Sequence, residues 1–243
     1  MKLVVFVTMV LLSIMGARGQ QSQGWDQMLK DPDFAGEKFK SQNRVDHYVT
    51  HDFSTLFTPR TQFLGFIGDD FQRLKIYYTS ISRIPKDPRA YRVDGISIVK
   101  SNRITFSGEI RINRVLEYKQ HRLGLDDRMK DIGHKAQGVL FASYKFAEDR
   151  KQPNSGVFEG SMVFSWYLDI DGVMQYDDIE FHSDSFRNNQ YLGTWTQYGS
   201  SIRKVANWGE YRIPFSGDLD IGAGEFSPNP KYLEKGWRDR ELY

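Results

Sequence analysis

The chain contains no cysteine. That excludes a thiol nucleophile, a cysteine metal site, a disulfide framework and a lipid anchor carried on cysteine. It has no Asn-x-Ser/Thr sequon, no Gly-x-Ser-x-Gly elbow, no phosphate-cradling glycine loop and no dinucleotide fingerprint. Long apolar runs are also missing. The run from Leu3 to Met15 is shorter than the roughly 20 residues a membrane-spanning helix needs. With Lys2 before it and Ala17-Arg18-Gly19 after it, it reads as a signal peptide (1–19) cleaved before Gln20. The expected location is therefore exported, periplasmic or extracellular. Net charge is lacking too. Cleavage removes Lys2 and Arg18 and no acid, so 33 basic residues fall to 31, matching the 31 acidic ones. A neutral, mixed surface excludes a nucleic-acid partner, which needs positive charge gathered on one face.

What is present is alternation. Residues 20–61 read as a polar arm followed by one short helix. In that helix Val45, Tyr48, Val49, Phe53, Leu56 and Phe57 recur at helical spacing, Asn43 is the candidate cap and Pro59 the stop. From residue 62 to 232 nearly everything reads as strand. Leu74, Ile76 and Tyr78 alternate with Arg73, Lys75 and Tyr77. Tyr91–Lys100 carries Asp94-Gly95 as a candidate bulge. Ile104, Phe106, Gly108, Ile110, Ile112, Arg114, Leu116 and Tyr118 share one face. Val139–Phe146 and Tyr191–Val205 read as further strands, Lys119–Gln137 as a charged excursion, and 233–243 as a tail. About eight long antiparallel strands in consecutive order predict an all-β, up-and-down barrel, with a two-sheet sandwich as the alternative. The charge content of 26% argues against stable membrane insertion as an outer-membrane barrel.

The segment Val157–His182 carries the strongest local signal. Phe158, Gly160, Met162, Phe164, Trp166, Leu168 and Ile170 occupy every second position, and Asp171-Gly172 is a hairpin dipeptide. A two-residue loop pairs Ile170 with Val173, Leu168 with Gln175 and Trp166 with Asp177. That register places Gln175 and Asp177 on the apolar face. A three-residue loop with a bulge would instead turn Met174, Tyr176, Asp178, Glu180 and His182 inward. The first is preferred because it buries more apolar residues. A buried carboxylate needs a partner, and Arg114, the cation on the apolar face of its own strand, is the candidate. Solvent at a barrel rim, or a bulge, would remove the need for the pair.

Tyr191-Leu192-Gly193-Thr194-Trp195, followed by Tyr198-Gly199-Ser200, resembles the Gly-x-Trp strand of lipocalin- and avidin-type barrels. In those folds the tryptophan plugs one barrel end, and the resemblance implies that role for Trp195. The family motif lies in the first strand, whereas here it lies near the C-terminus. Phe63-Leu64-Gly65-Phe66 echoes it early, without tryptophan. From about Gly65 to Trp237 the chain also resembles exported proteins of gut-type bacteria, notably in Asn207-Trp208-Gly209-Glu210-Tyr211-Arg212-Ile213-Pro214 and in Asp220–Pro230. That resemblance implies export and a β fold, and no activity.

Trp208 and Tyr211 beside carboxylates suit stacking on a sugar. The acidic glycine loop Asp218–Glu225 offers oxygen ligands for calcium, but without EF-hand spacing. It reads more simply as a loop closing the barrel. His47 and His51 have helical metal-ligand spacing but no third ligand. No cofactor and no metal is expected. The leading functional expectation is a non-enzymatic exported barrel binding a small apolar or carbohydrate ligand, inside or at its rim. Its lining would be Arg114, Trp166, Gln175, Asp177, Trp195, Trp208 and Tyr211. One alternative is a carbohydrate-active hydrolase with paired carboxylates among Asp177, Asp178, Glu180 and Asp184. The other is an envelope interaction protein with a solid barrel. Oligomeric state is not legible in the sequence.

Overall fold

The computed structural model describes residues 39–184 and 186–238. The segments read as signal peptide and arm, up to residue 38, lie outside the described residues, as does the end of the tail.

Nine strands form the sheet: β1 (Leu64–Ile67), β2 (Gln72–Ile84), β3 (Asp87–Val99), β4 (Asn102–Glu117), β5 (Ala136–Glu148), β6 (Gly156–Leu168), β7 (Met174–Tyr176), β8 (Asn188–Gln197) and β9 (Arg203–Glu210). Every pairing is antiparallel. β1 pairs with both β2 and β9, and β5 with both β4 and β6, so eight strands close into a ring in chain order. β7 is the exception, a short partner on the C-terminal end of β6. The all-β antiparallel expectation therefore holds. Tyr191–Val205, read from sequence as one strand, is two. Tyr198–Ile202 forms a turn in which Gln197 N donates to Ile202 O at 3.0 Å.

Period-two alternation decides the faces. Leu74, Ile76, Tyr91, Val93, Phe106, Ile110, Tyr144, Phe146, Phe158, Met162, Phe164, Tyr191 and Trp208 form one continuous core inside the ring. The outward positions carry Arg92, Glu109, Arg111, Lys145 and Glu159. Apolar inside and charged outside is the reverse of a membrane-spanning barrel. Among the described residues no helix is long and apolar enough to cross a membrane.

One end of the ring is plugged. The expected single helix is two one-turn helices, α1 (Val45–Tyr48) and α2 (Ser54–Phe57). The residue that caps α1 is Arg44, without a side-chain cap bond, rather than the expected Asn43. Asn43 sits one residue earlier, where its Oδ1 accepts from Val45 N at 3.1 Å and from Val115 N at 3.0 Å. The helix breaks because Asp52 Oδ1 accepts Ser54 N at 2.8 Å and starts a second turn. Tyr48 packs on Trp166 at 4.4 Å, and Phe57 meets Tyr91 and Phe164 edge-on. Buried Glu210 anchors the segment that follows, accepting Arg60 N at 2.6 Å and Thr61 N at 3.0 Å.

A second core covers the outer face of β1. Leu64 and Phe66 pack with Ile213, Leu219, Phe226 and Trp237, and with the partly buried Phe71, Tyr232 and Leu233. Trp237 Nε1 donates to Phe71 O at 2.7 Å. Leu233 and Trp237, assigned by sequence to a tail, thus belong to the packed body.

Candidate functional site

The unplugged end of the ring holds a cavity of about 460 Å³. It is built by the last residues of β1, β3, β5 and β8 and the first of β2, β4, β6 and β9, with the turns between them. Strand parity turns Ser97, Ile104, Glu148, Phe158, Trp195 and Lys204 into it. Each lies an even number of residues, along a regular strand, from a core residue of the ring interior.

Glu148 lies at the base of this cavity and is nearly fully buried. Ser97 Oγ donates a short hydrogen bond to its Oε1. Its Oε2 accepts from Trp195 Nε1 at 2.9 Å and from Gly156 N at 2.7 Å. Glycine is required at 156 by space: a Cβ there would fall 2.3 Å from Thr196 O and 2.7 Å from the Trp195 indole. Burial pushes the Glu148 carboxyl above the usual carboxylate range, and the bonds from Ser97, Trp195 and Gly156 oppose the rise without cancelling it. The rim is charged. Lys100 and Lys204 line it, together with Asp70, whose Oδ2 accepts from Lys235 Nζ at 2.7 Å.

Of the residues singled out from sequence, Trp195 lines this cavity. The others lie elsewhere. Arg114 does not face the interior. β4 carries a bulge at Asn113, so Ile112 pairs with Ala142 and Arg114 with Phe141. Val115 takes the inward position and Arg114 turns out. Among the described residues no ion pair joins Arg114 to Asp177.

The preferred hairpin register is overturned. Trp166 pairs with Tyr176, Tyr167 with Gln175 and Leu168 with Met174. The cause is Asp169, whose Oδ1 accepts Asp171 N at 3.0 Å and Val173 N at 2.8 Å, opening the two-residue turn into a wider loop. Met174 and Tyr176 point inward, while Ile170 and Val173 are 63% and 54% exposed. Gln175 lies on the outer face and donates to Asp169 Oδ2 at 2.8 Å. Asp177 is buried even so, just past the strand end. It accepts from Gln137 Nε2 at 2.9 Å and Ile179 N at 3.1 Å, and burial pushes its carboxyl up to about 6.

Trp166 is buried at the plugged end. Trp208 is not exposed for stacking; it is fully buried in the ring, stacked on Tyr191 at 4.8 Å. Tyr211 is half-buried, with φ +65°, against Phe186 at 4.9 Å and Phe181 at 5.7 Å.

In the acidic glycine loop a guanidinium occupies the place a cation would take. Arg212 Nη1 donates to Asp220 Oδ2 at 2.5 Å and to Gly222 O at 3.0 Å, and its Nη2 to Ala223 O at 2.9 Å. Two of the carboxylates weighed for hydrolysis, Asp178 and Glu180, are also engaged. Arg60 donates to Asp178 at 2.7 Å, while Glu180 accepts Ser183 Oγ at 2.7 Å and Gly124 N at 3.2 Å.

Sequence reasoning missed Glu148, Ser97 and Lys204. A signal for Glu148 was present. Extending the alternation Tyr144, Phe146 by one more step turns Glu148 inward. No family model, curated protein or solved structure matches this chain.

Proposed function

We propose that this is an exported, non-enzymatic binding protein that takes a small ligand, carbohydrate or apolar ring, at the open end of its strand ring. The observation that carries this reading is the buried Glu148, held by Ser97, Trp195 and Gly156 at the base of a cavity of about 460 Å³. That volume lies within the range of small-molecule sites, which combine apolar walls with a few placed polar groups. Here Phe158, Ile104 and Trp195 supply the walls, and Asn102, Asn154 and Gln197 supply amides. The export half of the reading rests on the leader at 1–19 and its small residues before Gln20.

The hydrolase alternative finds little support at this cavity. Its two acids are Glu148, already hydrogen-bonded, and Asp70, tied to Lys235. The solid-barrel alternative has one observation in its favour. Below the cavity the ring is filled by aromatic side chains, with Phe106 stacked on Phe146 and Tyr191 on Trp208. Binding on this reading is at the rim, not in a deep lumen.

Native mass spectrometry of protein from its own source, with retained ligand identified and then displaced by Trp195→Ala, tests the proposal. Retained ligand lost in the variant is the expected result. Wild-type protein that carries nothing and binds no member of a glycan and lipid panel would leave the interaction-protein reading in its place.

A further inference from the structure

The open end carries two lysines. Lys204 belongs to the inward set of β9, on the same face as Ala206 and Trp208, so its ammonium projects over the mouth of the ring rather than away from it. Lys100 stands on the same mouth from the β3–β4 turn, where its backbone has φ +54°. Among the described residues neither lysine has a carboxylate within ion-pair distance. Asp70, the rim's acid, is already paired with Lys235. Glu148, below, is enclosed by three donors. Two lysines thus line one small cavity whose walls are apolar and amide, Lys204 also acting on Asp70, whose carboxyl it helps to lower.

We infer that the ligand of this pocket is a small ring-bearing organic anion, its negative group held between Lys100 and Lys204 and its ring against Trp195 and Phe158. The inference rests on the open-end cavity being the binding site. A neutral ring would leave Lys100 without a counter-charge and Lys204 with only its share of Asp70, and a cationic one would meet both lysines at the entrance. The anionic group can belong to a sugar acid or to a non-sugar ring acid, since both present a carboxylate on a six-membered ring.

Isosteric probes separate the possibilities. Binding of glucuronate, glucose, glucosamine and benzoate to the leader-less chain is followed by tryptophan fluorescence and by ligand-observed NMR. Glucuronate is expected to bind about tenfold tighter than glucose, the sum of two modest rim ion pairs, and glucosamine weakest. The advantage should disappear at high salt and in Lys100→Gln/Lys204→Gln, which replaces exposed side chains and is expected to keep the wild-type melting temperature. Glucuronate without benzoate assigns a sugar acid; benzoate at equal or greater strength assigns a non-sugar ring acid. Glucose or glucosamine binding as well as glucuronate, or an anion preference that survives in the double variant, overturns the inference and leaves the pocket standing. If none of the four binds, or if binding is unchanged in Trp195→Ala, the pocket assignment itself fails.

Discussion

Asp177 makes a quantitative claim about stability. It is buried beside the plugged end and accepts two hydrogen bonds, from Gln137 and Ile179. Burial nevertheless dominates and raises its carboxyl from 3.8 to about 6. A group whose folded value is raised binds its proton in the native state while the unfolded chain has released it. Its contribution to stability is therefore complete below 3.8 and is lost as pH rises through 6. That difference corresponds to about 3 kcal/mol, or about 6–12 °C in melting temperature for a domain of this size. Asp177→Asn cannot ionise. Its amide oxygen replaces two acceptor oxygens with one, which adds a pH-independent cost of about 1 kcal/mol. Urea unfolding of both proteins, followed by tryptophan fluorescence, isolates the ionisation. The stability of Asp177→Asn relative to wild type should grow by about 2–3 kcal/mol between about pH 4 and pH 7.5. Other acids titrate alike in both proteins and cancel. A flat difference, or one that shrinks with pH, would refute the claim, because it would mean that the carboxylate is solvated or ion-paired.

Glu148→Gln should keep every hydrogen bond of the pocket base. The amide oxygen can accept from Trp195 and Gly156, and the NH₂ can donate to Ser97. Because burial raises the Glu148 carboxyl, the variant should match wild type in acid and exceed it at neutral pH by chemical denaturation; equal stability at both would count against the buried carboxyl. Gly156→Ala forces a methyl against Thr196 O and the Trp195 ring, and overpacking of this kind costs about 1–3 kcal/mol. Its melting temperature should fall and Trp195 emission should shift to the red. Asp220→Ala strands the guanidinium of Arg212, both partners being nearly buried, for a loss of about 3–5 kcal/mol. Calcium should not protect the wild-type protein from thermal unfolding; protection would return the loop to metal binding.

The ring was legible because its strands alternate cleanly. Phe158 to Trp166 needs no tertiary information to be read as one face of a strand. What escaped the sequence is what interrupts alternation. The bulge at Asn113 turns Arg114 outward without any glycine or proline to announce it. Asp169 widens the hairpin by accepting backbone N–H groups, a local bond that competes with the tight Asp-Gly turn. Each event shifts parity by one, and a single shift exchanges the buried and exposed sets. Trp195 survived as a site residue because no such shift lies between it and Tyr191. The cavity itself draws on strand ends from the whole ring, a convergence that one-dimensional spacing does not carry.

Closure of the ring has a consequence for how copies of this chain meet. In an open sheet the two outermost strands expose a row of unpaired N–H and C=O groups, the template on which aggregates and fibrils grow. Here every ring strand has neighbours on both sides, but closure is uneven. β1 and β2 share only two residue pairs, Phe66–Arg73 and Ile67–Gln72, so Leu74–Ile84 of β2 has a ladder partner on the β3 side alone. The seam between β1 and β2 is thus where strand-by-strand growth, or loss of closure, should start.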